Sequence, residues 1–208
     1  MVGQGYDHIW DCCCDHGLLG MLLLEKRKAK HIHFVDIVPD LLVEIEQKLK
    51  RYYQGEDNWY VHSLDVAELP ITEYKQAKHL VIIAGVGGQL LVELLTRLLP
   101  LTANLNIEFI LAPVHHNYQL RSFLIKQNSG LLDEKLIEEN NRFYELLFVS
   151  NKHGGSISPV GDRMWDLKNI KHQDYLHKTI SHYQRIAKNP NIDVSEVIKA
   201  YQDLNSTV

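Results

Sequence analysis

The nine residues Ile9-Trp10-Asp11-Cys12-Cys13-Cys14-Asp15-His16-Gly17 decide how the rest of the chain is read. Ile9 and Trp10 open an apolar run, and the three cysteines extend it, because a free cysteine behaves as a small hydrophobe. Asp15, His16 and Gly17 break the run, and LLGMLLLEK follows with a helix-like apolar face. A strand, a polar turn with a glycine and then a helix is the order in which α/β nucleotide-binding folds present their first ligand loop. A ligand there sits at the carboxyl end of the strand, beside the helix N-terminus. The stretch predicts a first strand over residues 9–14 and a helix over 17–27.

The same alternation continues outward. HIHFVD (His31 to Asp36) reads as a second strand ending in an acid, and Pro39 opens a helix with Leu42, Ile45 and Leu49 on one face. Trp59–His62 is a short third strand. HLVIIAG (His79 to Gly85) is an unbroken apolar run, as expected of a parallel strand buried on both faces. Gly85-Val86-Gly87-Gly88 then turns into QLLVELLTRLL, an amphipathic helix expected to stop at Pro100. Ile107–Pro113 is a fifth strand, followed by a loop and another helix. LLDEKLIEEN and RFYELLFVS read as two strands joined by a tight turn at Asn140–Asn141. His153 to Gly161 reads as a loop or linker. A helix over 162–188 and a last helix capped by Asp193 or Ser195 complete the chain.

The bulk properties bound the function. At 208 residues, 45% hydrophobic and 23% charged, the chain fits one ordinary core domain with room for a small addition. No apolar run is long enough to span a membrane, and MVGQGYDH lacks the basic region and apolar core of a signal peptide. Three adjacent cysteines cannot build a disulfide framework, which fits a reducing cytoplasm. Consecutive cysteines on a strand also point to alternate faces, so they cannot all meet one ion and no metal is expected. The net charge is −4, but the balance is uneven: residues 1–150 carry 14 Lys+Arg against 20 Asp+Glu, and residues 151–208 carry 8 against 6. The mild positive tilt of the second part fits either a solvated helical face or an RNA-facing surface.

Several residues carry chemistry by position. Asp36 ends the second strand about 20 residues after the first loop, where an acid accepts both ribose hydroxyls of an adenosine ligand or, alternatively, caps the next turn. Asp65 follows the third strand and suits an adenine amino group or an ordinary loop. Gly85, Gly87 and Gly88 permit positive φ and close backbone approach to a ligand, or tight strand–helix packing. No GK[ST] follows them, so they do not form a phosphate loop. His115 and His116 adjoin the end of the fifth strand, facing substrate or simply occupying a loop.

Five β-α units closed by an antiparallel hairpin are what the class I methyltransferase fold shows, and the motifs narrow this further. The chain resembles the bacterial tRNA adenine-22 N1-methyltransferase family. The first loop of that family reads D-I-G-S-D-H, and here it is Asp11-Cys12-Cys13-Cys14-Asp15-His16. Its I-A-G-M-G-G is matched by Ile83-Ala84-Gly85-Val86-Gly87-Gly88, and its L-Q-P-N by Leu111-Ala112-Pro113-Val114. Phe143-Tyr144-Glu145 matches a hairpin signature, and a helical appendage follows in both. The resemblance covers residues 9–150 well and the remainder in outline. It implies a Rossmann-like catalytic domain over residues 1–150 and a C-terminal helical appendage over 151–208. It further implies S-adenosylmethionine as methyl donor and tRNA as partner. Carried over by position, Asp11, Cys13, Asp15 and the loop backbone surround the methionine end, Asp36 holds the ribose, Asp65 the adenine, and Gly85 and Gly87 the donor shelf. Gly88, His116 and Tyr118 face the target base, and Asp15 and His16 orient donor or acceptor. Two departures stand out: Cys13 replaces a glycine at the closest approach to the donor, and Val114 replaces an asparagine on the substrate side.

Two other readings use the same residues. One is a methyltransferase acting on a small molecule or protein, and the other is a non-catalytic relative that binds tRNA or a nucleotide. A nicotinamide-dependent dehydrogenase is disfavoured by the absence of G-x-G-x-x-G and by the terminal hairpin.

Overall fold

The computed structural model describes residues 1–205. Seven strands form one sheet: β1 (Tyr6–Cys12), β2 (Ala29–Asp36), β3 (Trp59–Ser63), β4 (Lys78–Ala84), β5 (Asn106–Ala112), β6 (Gly130–Glu139) and β7 (Arg142–Ser150). Their order is β3-β2-β1-β4-β5-β7-β6. The first five are parallel, and β7 enters antiparallel between β5 and β6. The turn between β6 and β7 has both Asn140 and Asn141 at positive φ, the conformation that matches the twist of a two-residue hairpin.

The crossover helices cover both faces. α1 (Leu18–Glu25) and α2 (Pro39–Tyr52) bury Leu23, Leu24, Leu42, Ile45 and Leu49 against Ile9, Ile32, Phe34 and Ile82. α3 (Gly88–Thr102) and α4 (Asn117–Lys126) cover the other face, where Leu91, Leu95, Leu98, Leu120 and Leu124 meet Trp10, Val81, Ile83 and Phe109. Two short 3-10 turns, Val66–Glu68 and Pro70–Tyr74, stand in place of a helix between β3 and β4.

Three sequence expectations are corrected. The first strand ends at Cys12, not Cys14, because Cys13 takes a left-handed conformation (φ 56°) that no strand tolerates. Cys12 and Cys14 nonetheless pack on opposite sides of the sheet. α3 runs through the exposed Pro100 to Thr102: the proline sits in the last turn, and Thr102 is buried with its carbonyl receiving the Asn151 Nδ2 hydrogen. The helix expected over 162–188 is confined to α5 (Ile170–Ile186), capped by the Asn169 side chain. The segment before it is irregular, a run of bends and turns stitched to the sheet: Leu131 and Gly155 exchange backbone hydrogen bonds at 2.8 Å, Ile157 enters the core, and the Arg163 amide donates to Glu134 at 2.7 Å. α6 (Ser195–Asn205) follows, with Asp193 accepting from the Ser195 amide, and packs on α5 around Leu176, Ile180 and Tyr201. Among the described residues, no helix is long and apolar enough to cross a membrane.

Candidate functional site

Strand order reverses between β1 and β4, and in open α/β sheets ligands bind in the crevice at the carboxyl ends of such neighbours. Five connections converge there: the first loop after Cys12, Asp36 at the end of β2, Asp65 after β3, Gly85 after β4 and the His115–His116 loop after β5.

The first loop folds as a tight succession of left-handed residues: Cys13 (φ 56°), Asp15 (φ 49°) and Gly17 (φ 69°). For Cys13 and Asp15 this costs roughly 1–2 kcal/mol each, a strain held by the surroundings. Asp36 supplies much of the restraint. One of its oxygens accepts from the Asp15 amide at 3.1 Å and the other from the Val38 amide at 3.1 Å. Its position at a strand end therefore serves the loop as well as any ribose, since a carboxylate has further lone pairs to offer. Cys13 is half-buried, its side chain packed on the α3 face, and burial followed by the Asp36 charge pushes its thiol up to about 11. Asp15 and His16 are exposed at the mouth, His16 lying 3.8 Å from Asp15 and 3.9 Å from Glu44 on α2.

Asp11 has a different task from the one carried over by position. It is 4% exposed and accepts from the Gly20 amide at 2.8 Å. Gly17 at the N-cap of α1 has no side chain to satisfy the helix's first amides, and Asp11 does so from the neighbouring strand. Burial raises its carboxyl to about 7, against the lowering effect of the Gly20 bond. Asp65 caps the first 3-10 turn, accepting from Ala67 N at 2.9 Å, and pairs with Arg97 at 2.7 Å. These bonds hold its carboxyl below the usual range, the Ala67 amide contributing most.

The glycines divide their labour. Gly85 has φ 79°, and a Cβ there would meet open space, so it borders the crevice. Gly87 and Gly88 are packing glycines: a Cβ on Gly87 would stand 2.2 Å from His115 Cε1, and one on Gly88 2.5 Å from the His116 carbonyl. The Gly88 amide donates to His115 O at 2.8 Å. His115 and His116 share a hydrogen bond between their Nδ1 atoms at 2.7 Å, so one of the two must present an unprotonated nitrogen. Burial and then the neighbouring His115 hold His116 below the usual histidine range. Tyr118 turns into the apolar cluster of α5 and α6, 6.4 Å from the Tyr201 ring.

Sequence reasoning passed over a buried ionic network beside this loop. Arg121 of α4, with no exposed side-chain surface, donates to Glu134 at 2.7 Å and to Glu145 at 3.0 Å. Glu145 also accepts from the Tyr175 hydroxyl at 3.0 Å, and Asn117 Nδ2 donates to that hydroxyl at 3.3 Å. The network ties α4, the hairpin and α5 together behind the His115–His116 loop. The signal was parity: Glu145 shares its strand face with the inward Leu147 and Val149. Among the described residues, no group of three His, Cys, Asp or Glu could hold a metal ion.

A Rossmann-type sheet with a crevice at its switch point, closed by an antiparallel pair, is an α/β architecture of the methyltransferase type. Residues 1–147 match the family described as "Methyltransferase domain". The chain belongs to that family. No curated protein matches the sequence. Among solved structures, Streptococcus pneumoniae Sp1610, a putative tRNA (m1A22) methyltransferase in complex with S-adenosyl-L-methionine, is similar at 20% identity. That likeness has a TM-score of 0.78 and covers 98% of this chain and 94% of that one. TrmK of M. capricolum, in complex with S-adenosyl-homocysteine, is similar at 19% identity and TM-score 0.72, over 97% and 89% of the two chains. The m1A22 tRNA methyltransferase TrmK of B. subtilis is similar at 20% identity and TM-score 0.69, over 96% and 88%.

Proposed function

We propose that the protein is an S-adenosylmethionine-dependent methyltransferase acting on adenine N1 in the D-loop of tRNA, at position 22. The observation that carries the reading is the crevice itself. A strained loop is braced by Asp36 on one side of the switch point, and an open glycine, Gly85, stands on the other. Full-length likeness to solved tRNA (m1A22) methyltransferases supports the choice of substrate, since it extends through the C-terminal helices of this chain.

The residues fit an adenosyl donor. Asp36 would accept from the ribose hydroxyls with the lone pairs its two amide partners leave free. Asp65 would border the adenine while capping its own turn, and the loop backbone and Gly85 would leave room for the methionine end. Cys13 fits because its side chain packs on the α3 face of the core. Bound S-adenosylmethionine supplies a methyl group already activated by the sulfonium charge. The protein's share is alignment and charge. Neutral adenine has a lone pair on N1, so no residue need remove a proton before attack, and holding the base in line accounts for most of the rate. Asp15, exposed at the mouth, is placed to offset positive charge developing on the base, and His16 to orient it. His116, exposed after β5, would line the target-base side, with Gly88 packed beneath its loop. Residues 151–208 would serve as an appendage for RNA beyond the target.

Calorimetric titration with S-adenosylmethionine, using NAD as control, tests the class. Micromolar binding of the methyl donor alone is expected, and preference for NAD or binding of neither would overturn the assignment.

A further inference from the structure

A groove of about 770 Å3 lies between the hairpin tip and α5. Its size is in the range of sites that enclose a small organic ligand, roughly 300–1,000 Å3. The β5–α4 loop, Val114 to Asn117, lines it on one side. That loop also packs on Gly87 and Gly88, so it separates the groove from the crevice and belongs to both.

Two features of the groove point to one kind of occupant. The first is a set of ring faces fixed in advance. Phe143 stacks on Tyr175 at 4.9 Å, and Tyr175 on Trp165 at 5.5 Å, with interplanar angles of 26° and 25°. Tyr175 cannot swing away, because its hydroxyl is held by Glu145 and Asn117. Further along α5, Tyr183 stacks on Tyr201. The second feature is charge. Arg142 and Lys178 are exposed at the rim, and neither forms an ion pair with a described residue. His182 joins them. The one acid beneath, Glu145, is buried, with both oxygens engaged by Arg121 and Tyr175. Lys178 also begins a basic flank on the outer side of α5, continued by Arg185 and Lys188. Glu139 lies opposite Arg142 in the hairpin and Asp174 one turn before Lys178, but no acid lines the groove itself, and aromatic faces beside cations match a stacked base and its phosphate.

We propose that this groove seats a single-stranded nucleotide next to the one being methylated, its base on the exposed face of Phe143 and its phosphates on Arg142 and Lys178. The following phosphates run along the basic side of α5. The groove thus selects RNA in which the target lies in an unpaired stretch, since a duplex neighbour could not turn its base onto Phe143. The inference rests on the reading of the protein as an RNA methyltransferase, but it concerns a subsite distinct from the donor crevice.

The test uses a D-arm RNA hairpin carrying 2-aminopurine beside the target adenine, with the full chain and three variants: Phe143→Leu, Arg142→Ala and Lys178→Ala. Binding to the unaltered protein should quench the 2-aminopurine by stacking, and Phe143→Leu should abolish the quench and weaken binding about 5- to 100-fold. Arg142→Ala and Lys178→Ala should each lower the slope of log affinity against log salt by about 0.7 to 0.9. S-adenosylmethionine affinity, measured on each variant, should stay unchanged and reports that the fold is intact. Equal RNA affinity, quench and salt slope in all four proteins would overturn the subsite and leave the methyltransferase reading standing. Donor binding without RNA binding by the unaltered protein would overturn both the RNA reading and the subsite.

Discussion

Replacing His33 with glutamine should flatten the acid side of the protein's stability curve. Five of the 12 histidines, at positions 8, 31, 33, 62 and 79, stack with Trp10, Tyr60 and Tyr74 on the sheet face covered by the 3-10 turns. His8 Nδ1 and His33 Nε2 are 2.9 Å apart, as are His33 Nδ1 and His62 Nε2. His79 accepts from Trp10 Nε1 at 3.3 Å and donates to the Tyr74 carbonyl at 3.0 Å, a pairing that only the neutral ring can make. Burial, followed by neighbouring histidines, lowers His33 to about 2 and His8 to about 4. Both stay neutral in the folded protein at pH 5.5, while in the unfolded chain they take up protons below about pH 6.5. The stability they allow is therefore complete above pH 6.5 and is lost as pH falls, down to their folded values. By linkage each contributes a loss of about 1.4 kcal/mol between pH 7.5 and 5.5. Asp11 works the other way: its carboxyl, raised to about 7, gains a proton in the folded state and stabilises it by about 2 kcal/mol over the same interval. Comparing His33→Gln with the unaltered protein cancels Asp11. The variant should be less stable at pH 7.5, having disturbed two buried hydrogen bonds, but its further loss on going to pH 5.5 should be smaller by about 1.4 kcal/mol. With a urea slope of about 2 kcal/mol per molar, that is roughly 0.7 M in midpoint. Midpoints that shift in parallel for both proteins would refute the neutral buried His33.

Other perturbations probe the site and its support. Asp36→Ala removes the acceptor of two loop amides as well as the expected ribose contact, and donor affinity by calorimetry should fall about 10- to 100-fold, as for loss of charged hydrogen bonds. Arg121→Met strands Glu134 and Glu145 in the interior, and urea denaturation should show a loss of about 3–5 kcal/mol, much of it recovered when both acids are also made apolar. Gly20→Ala should destabilise by about 1–3 kcal/mol in thermal unfolding despite alanine's helix preference, because the new Cβ would stand 2.3 Å from Phe34 Cε1 and 2.9 Å from Asp11 Oδ2.

The succession of strands and the hairpin were legible because buried parallel strands read as apolar runs and Asn140–Asn141 permits two positive φ values in succession. The placement of Asp36 and Gly85 at strand ends was legible too. What escaped depended on contacts distant in sequence. Asp11 looks like a ligand-loop acid until α1 is seen to lack a capping side chain. Gly87 and Gly88 look like Gly85 until His115 is seen packed on them. Tyr118 looked free because the cluster that takes it is built from α5 and α6. The irregular run before α5 is held by Glu134 and Leu131 rather than by local preference, so no periodicity within it announced its shape.

The most direct test of the central claim is methyl transfer from labelled S-adenosylmethionine to tRNA that lacks 1-methyladenosine, with the labelled nucleotide mapped in the product. Label is expected in 1-methyladenosine at position 22 of the D-loop and, at a donor concentration below Kd, about 10- to 100-fold less of it after Asp36→Ala. Donor binding with no label entering tRNA, or label at another atom or position, would contradict it.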